Sequence, residues 1–306
     1  MTRSISAALV LLACLGSTAY ASPLPSDFDG DGKTDIAIFE RTQGGQANWL
    51  ILGSLAGYSS IPWGLSTDIP APGDYDGDGK TDPAVVRAGN YGAEWYIRRS
   101  QAGQIGLMFE QNSDIPVPRD YNGDGKTDVA VVRPGNNLVW LISDAATGST
   151  PSTFTWGLSG DKLVPADYDG DGKADIAVFR PSDQTWYIWK SSDSQLLSVQ
   201  WGYSTDRPVP GDYDGDGTYD IAVFRPGDKV WYIRKSSNSQ LLAIGPYGLS
   251  TDILVPGDYD GDGKFDAAVL RPTTARWHIL KSSGGEVDQL FFYNSTDTPV
   301  PALYIP

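Results

Sequence analysis

Residues 163–206 read LVPADYDGDGKADIAVFRPSDQTWYIWKSSDSQLLSVQWGYSTD. Four short runs in this stretch favour strands: 163–166, 176–180, 185–190 and 196–201. They are rich in Val, Ile, Leu, Trp and Tyr, which suit a pleated, half-buried surface. Between them stand turn formers: Asp-Gly pairs, Pro181-Ser182-Asp183, and Ser191-Ser192-Asp193-Ser194. No segment keeps an apolar period of 3.6, so almost no helix is expected.

The same pattern recurs along the chain. An acidic run begins at Asp27, Asp74, Asp120, Asp167, Asp212 and Asp258, at intervals of 47, 46, 47, 45 and 46 residues. Four short strands at this period match a propeller blade, in which neighbouring blades bury each other's apolar faces. The expected fold is an all-β propeller of six four-stranded blades, with seven as the alternative. Residues 296–306 begin a seventh unit and then stop, because Leu303-Tyr304-Ile305 replaces the acidic run. That tail is expected to pair with the first blade and remove a free sheet edge.

Each acidic run is a box, D-x-[DN]-x-D-G-x-x-D, between the first and second strands of a blade. Its oxygens come from positions one, three, five, seven and nine. The six sets are Asp27, Asp29, Asp31, Lys33 and Asp35; Asp74, Asp76, Asp78, Lys80 and Asp82; Asp120, Asn122, Asp124, Lys126 and Asp128; Asp167, Asp169, Asp171, Lys173 and Asp175; Asp212, Asp214, Asp216, Thr218 and Asp220; and Asp258, Asp260, Asp262, Lys264 and Asp266. Alternate residues of a tight loop can aim carboxylates at one centre, and position seven can offer its backbone carbonyl. Calcium takes six to eight such oxygens in flexible geometry. About six Ca2+ ions are therefore expected. The start of the box imitates an EF-hand loop, but the twelfth position decides against one. It is Ile38, Val85, Val131, Val178, Val223 or Val269, where an EF-hand needs Glu. A run of Asx turns is the simpler reading of one box. Six boxes in register favour metal.

Charge agrees. The boxes hold 23 of the 38 acidic side chains, against 23 Lys and Arg in the whole chain. A net charge of −15 repels nucleic acid and anionic lipid. Six divalent ions would offset most of the excess.

Residues 1–21 read as a secretory signal: Arg3, an apolar stretch over 5–15, and the small-x-small site Ala19-Tyr20-Ala21. Residues 22–306 are then one domain, expected to be extracellular, without a membrane span and monomeric. Cys14, the one cysteine, falls inside the leader; a lipid anchor at Cys14 is the alternative reading.

On these residues the chain resembles the FG-GAP and VCBS repeat proteins, whose best-known members are the propeller heads of integrin α-subunits. The resemblance rests on boxes such as Asp74-Tyr75-Asp76-Gly77-Asp78-Gly79-Lys80-Thr81-Asp82, set between a Val-Pro-Gly-Asp strand and an Ile-Ala-Val-Phe strand. It covers nearly all of residues 22–306. The literal Phe-Gly…Gly-Ala-Pro pattern is absent, which places the chain nearer the bacterial VCBS-like branch. The resemblance implies calcium in the strand-to-strand loops, at the positions given above. Integrin propellers have seven blades, whereas six boxes occur here.

Other recurrent residues admit two readings each. Trp49, Trp95, Trp140, Trp186, Trp231 and Trp277 fall in third strands, and Trp63, Phe109, Trp156, Trp201, Tyr247 and Tyr293 end fourth strands. They are sugar-stacking platforms or, as their equal spacing favours, packing between blades. Arg87, Arg133, Arg180, Arg225 and Arg271 are expected to pair with the Asp of the next turn, among Asp68, Asp114, Asp161, Asp206, Asp252 or Asp297. The Lys-Ser-Ser runs at 190–192, 235–237 and 281–283 read as solvated hairpins. Catalytic material is scarce. His278, the one histidine, stands in the slot of Tyr96, Tyr187 and Tyr232 and reads as a packing substitute, and the four Glu (Glu40, Glu94, Glu110 and Glu286) do not recur in register. The expected function is a non-enzymatic binding or adhesion module for an extracellular glycan or a cell-surface protein. A secreted polysaccharide lyase or hydrolase is the alternative, with Glu94 and Glu110 its first candidate acids.

Overall fold

The structure, a computed structural model, describes residues 26–301 apart from 91, 110 and 145–149. The expected leader, Cys14, Glu110 and residues 302–306 of the tail lie outside that set. The described residues form six four-stranded antiparallel sheets and no helix, so the chain is a six-bladed β-propeller. In the fourth blade the order is Lys162–Leu163, Ile176–Arg180, Thr185–Trp189 and Leu196–Gln200. The second, third, fifth and sixth blades repeat it.

The first strand is shorter than its sequence promises. Proline interrupts it: Pro165 has no N–H for the ladder, and pairing resumes only as the isolated bridge Ala166↔Asp175. The same bridge recurs at Gly73↔Asp82, Arg119↔Asp128, Gly211↔Asp220 and Gly257↔Asp266. Each box therefore hangs as a closed loop between a short first strand and a deeply buried second one.

Burial is deepest in the second and third strands. Ala177, Val178 and Phe179 of the second strand have no exposed surface, and Trp186 and Ile188 alternate with half-buried neighbours on the third. The outer strand 196–200 alternates exposed and half-buried residues. Consecutive blades meet through one recurrent contact, in which the twelfth-position residue of a box packs against the third-strand tryptophan of the preceding blade. Val85 packs with Trp49, Val131 with Trp95, Val178 with Trp140, Val223 with Trp186, Val269 with Trp231 and Ile38 with Trp277. All six tryptophans are fully buried, which answers the choice between packing and sugar platform for this set. Burying such a ring removes about 150–250 Å² from water, worth roughly 4–6 kcal/mol each as an upper bound.

The ring closes through both chain ends. Strand Thr298–Pro299 pairs antiparallel with Ile36–Arg41, with Phe39↔Thr298 and Ile38↔Pro299 in register. Val300 N donates to Ala37 O at 2.9 Å, as Val209 N does to Ala222 O in the fifth blade at 2.8 Å. Ser26 O then accepts from Asp35 N at 2.8 Å, matching Gly211 O and Asp220 N. The first strand of blade one is thus spliced from the tail and the head of the chain, and the expected closing role of the tail holds. Across this seam Tyr58 of blade one meets Phe291 and Phe292 of blade six, with ring centroids 6.3 and 6.1 Å apart.

Candidate metal centres

The loop conformation follows from the two glycines of each box. Gly30 and Gly32 take φ of +79° and +83°, and the equivalent pairs in the other boxes take similar values. This left-handed region admits glycine with little penalty. The turn brings backbone N–H groups onto the first carboxylate. Gly30 N and Gly32 N donate to the two oxygens of Asp27 at 2.7 and 2.9 Å, and Gly170 N and Gly172 N do so to Asp167 at 2.6 and 2.8 Å. The ninth-position Asp closes the loop. Asp175 Oδ2 accepts from Tyr168 N at 2.9 Å and its Oδ1 from Ser191 N at 2.7 Å.

The second-position aromatic fixes the loop to the first strand. Tyr168 Oη donates to Val164 O at 2.7 Å, and Tyr75, Tyr121, Tyr213 and Tyr259 repeat this with the carbonyl four residues back. In the first box Phe28 cannot make that bond.

The serine hairpins are the part of the site that sequence reasoning missed. Ser236 N donates to Asp220 and Ser282 N to Asp266, each at 2.7 Å. The hydroxyls of Ser191, Ser236 and Ser282 donate to Asp171, Asp216 and Asp262. Those of Ser192, Ser237 and Ser283 donate to the third-position acids Asp169, Asp214 and Asp260. The hairpins therefore cover the boxes. The available signal was the recurrence of serine at a fixed distance from each box.

Five boxes gather three carboxylates whose oxygens lie within 4.8 Å of one another: Asp27, Asp29 and Asp35; Asp74, Asp76 and Asp78; Asp167, Asp169 and Asp175; Asp212, Asp214 and Asp220; and Asp258, Asp260 and Asp262. In these same five boxes the third-position Asp has an Oδ1 that is buried and accepts no hydrogen bond: Asp29, Asp76, Asp169, Asp214 and Asp260. A buried acceptor with no donor costs about 1–3 kcal/mol, more for a charged group. A hard cation at the centre would satisfy it, so the donor set fits calcium. The third box differs. Asn122 Nδ2 donates to Asp128 Oδ1 at 3.0 Å and Asn122 Oδ1 accepts from Asp124 N at 2.8 Å, so its amide ties the loop internally.

Burial sets the electrostatics. It pushes Asp35, Asp82 and Asp128 up to about 7, and Asp175, Asp220 and Asp266 up to about 6, with neighbouring box carboxylates adding to the rise. The first-position acids also rise above the usual carboxylate value through burial, although their glycine N–H bonds oppose it.

The boxes touch one another in a ring. Thr81 N donates to Asp27 O, Thr127 N to Asp74 O, Ala174 N to Asp120 O, Tyr219 N to Asp167 O, Phe265 N to Asp212 O, and Thr34 N to Asp258 O, all at 2.5–2.8 Å. The seventh-position side chain lies across the fourth-position glycine of the preceding box. A Cβ at Gly30 would stand 3.1 Å from the Lys80 stem, and one at Gly215 3.0 Å from that of Lys264.

The opposite ends of the first strands carry the arginine–aspartate pairs. Arg87, Arg133, Arg180, Arg225 and Arg271 pair with Asp68, Asp114, Asp161, Asp206 and Asp252 at 2.8–3.0 Å. Each partner lies 19 residues upstream, in the turn that leads into the same blade rather than the one that leaves it. Asp297 instead accepts from the backbone N–H of Arg41 at 3.1 Å. Glu94, a candidate acid, accepts from the Tyr96 hydroxyl at 2.5 Å, the anchoring role that Asp183 plays for Tyr187.

No protein in the curated collection of sequences matches this chain. Among solved structures, TolB from Acinetobacter baumannii is similar at 15% identity, with a TM-score of 0.55, over 87% of this chain and 65% of TolB. A streptogramin B lyase structure is similar at 9% identity and a TM-score of 0.49, over 85% of this chain and 84% of that one. This chain thus spans about two thirds of the length of TolB, and at such identities the likeness is one of fold alone. Residues 120–178, 167–223 and 212–269 match the FG-GAP-like repeat, each match running from one box into the second strand of the next blade. Residues 120–269 thus carry FG-GAP-like repeats, and the same box and blade recur in the remaining units.

Proposed function

We propose that this protein is a secreted β-propeller that binds calcium in its box loops and serves as a non-enzymatic binding or adhesion module. The propeller and its repeats support a binding or scaffold role. The metal reading is carried by one observation: a buried, undonated carboxylate oxygen recurs at the third position of the five boxes that cluster their acids, and at no other box. Positions one, three, five and nine would hold the ion, with the carbonyl of position seven. The third box, where Asn122 already engages Asp128, would bind more weakly. The ion would supply charge neutralisation and loop rigidity to a domain whose one cysteine lies in its expected leader. An export leader would deliver the chain to a calcium-rich, oxidising compartment.

Ions that bind only the folded state raise stability by mass action, about 2.7 kcal/mol per site at a hundredfold excess over Kd. Chelator should lower the melting temperature, and calcium should restore it better than magnesium, which demands a smaller, stricter octahedron. A melting curve indifferent to chelator and to added calcium overturns the assignment.

A further inference from the structure

Blade six departs from blades two, four and five at one place. In blades two, four and five the guanidinium of Arg87, Arg180 or Arg225 is covered by a tyrosine ring, at 4.4, 4.4 and 4.1 Å from the centroid of Tyr96, Tyr187 and Tyr232. Each hydroxyl is tied to an acid, Glu94, Asp183 or Asp228. In blade six the same register position is His278, opposite Val269 as Tyr187 is opposite Val178. The shorter ring leaves a cavity of about 460 Å³ at the junction of blades five and six. Pro246 and Tyr247 line it from blade five; Arg271, His278, Glu286 and Asp288 line it from blade six.

The outer strand changes with it. Opposite Trp189 and Tyr187, blade four has Leu196 and Ser198; opposite Arg234 and Tyr232, blade five has Leu241 and Ala243. Blade six places Glu286 and Asp288 at these two positions. Relative to blades four and five, three polar substitutions thus converge on one cavity. Tyr247 Oη donates to Glu286 Oε1 across the blade junction at 3.3 Å. Arg276 Nη1 donates to Asp288 Oδ1 at 3.0 Å, and His278 Nδ1 stands 3.9 Å from the same oxygen. His278 Nε2 is buried and has no hydrogen-bond partner.

We infer that this cavity is a single subsite for a sugar residue that is neutral or bears an amine. The volume lies in the range of small-molecule pockets, about 300–1,000 Å³. Carboxylate acceptors, the Arg271 guanidinium and a tyrosine hydroxyl side by side match a ligand whose hydroxyls both donate and accept. An aromatic ring and a proline supply the apolar part of the wall. Charge selects within that class. Arg271 is paired by the fully buried Asp252 and Arg276 by Asp288, so Glu286 leaves the cavity negative and disfavours uronates and sulfated sugars. This subsite gives the proposed binding module a location and a ligand class, and it is independent of the calcium assignment.

The test is titration of the intact, calcium-loaded protein with glucose, galactose, glucosamine and glucuronate, followed by ligand-observed NMR and calorimetry. One site per chain is expected, with glucuronate at least tenfold weaker than the best neutral or amino sugar. Glu286→Gln should weaken that sugar about tenfold. His278→Tyr, which restores the sister-blade ring, should fill the cavity and abolish binding while the melting temperature holds. Absence of binding by all four sugars, preference for glucuronate, or full binding by His278→Tyr each overturns the subsite. Several sites per chain, insensitive to His278→Tyr, overturn it too while leaving the binding-module reading intact. Chelator melting, run separately, reads the metal assignment alone.

Discussion

The spliced first strand of blade one makes a prediction that the repeats themselves calibrate. Val300 is fully buried, and its N–H donates to Ala37 O. Val209 in blade five has the same burial and the same bond to Ala222 O. Val→Ala removes two buried carbon units, about 0.8 kcal/mol each, and leaves a small cavity that adds to the loss. A total of about 2–3 kcal/mol follows at either position. For a domain of this size each kcal/mol moves Tm by about 2–4 °C, so both variants should melt roughly 5–10 °C lower than the parent. If the closing strand is part of the cooperative structure, the two losses agree. If it frays before the ring opens, Val300→Ala costs nothing globally while Val209→Ala keeps its full effect. Thermal and urea unfolding of the two variants, followed by tryptophan fluorescence, reads the difference. A Val300→Ala shift below about 1 °C beside a normal Val209→Ala shift would refute the closure argument.

Three further outcomes are expected. In chelator, the raised carboxyls of Asp35, Asp82 and Asp128 (about 7) and of Asp175, Asp220 and Asp266 (about 6) hold protons that the unfolded chain has released. Their contribution is present below about pH 4 and is lost as pH rises through 6 to 7, so the chelated protein should melt higher at pH 5 than at pH 8; the reverse order in a pH series of melts would contradict it. Arg225→Ala leaves Asp206, with no exposed side-chain surface, as an uncompensated buried charge, and should cost roughly 3–5 kcal/mol by urea unfolding; a loss under about 1 kcal/mol would show the pair to be dispensable. Asn122→Asp removes the amide that engages Asp128 and should raise the calcium count measured by native mass spectrometry, or tighten the weakest site; an unchanged count and affinity would count against the role given to Asn122.

What was legible in the sequence was local and periodic. The strand runs of 163–206, the turn residues between them and the spacing of the boxes each depend on neighbours within a few residues, and they fall where the repeat places them, except that proline cuts the first run short. The spliced closure was legible too, because 296–301 repeats the Asp-x-x-Val-Pro entry to a blade. The covering of the boxes by serines was not. Ser191 and Asp175 are 16 residues apart, and their contact depends on the register of two strands, which a turn signal does not specify. The arginine partners were misread for a similar reason: both flanking turns carry an Asp, and only the antiparallel return of the second strand brings the upstream one within reach. His278 passed as a packing substitute because its consequence, an opened cavity, depends on Glu286 and Asp288 across the strand pair and on Tyr247 in another blade.

The ring of backbone bonds between boxes, completed by Thr34 N and Asp258 O, also constrains the order of events during synthesis. Blades two to six can each be finished from contiguous chain. Blade one cannot, because its first strand needs Thr298–Pro299, which emerges some 260 residues after Ile36–Arg41. Until then Ile38, Phe39 and the first box have an open edge on one side, and Ile38 lacks Trp277, which covers it in the finished ring. Nascent chains therefore pass through a horseshoe of finished blades with an adhesive edge at its N-terminal end. A holdase that shields that edge would determine how many chains close on themselves rather than on a neighbour.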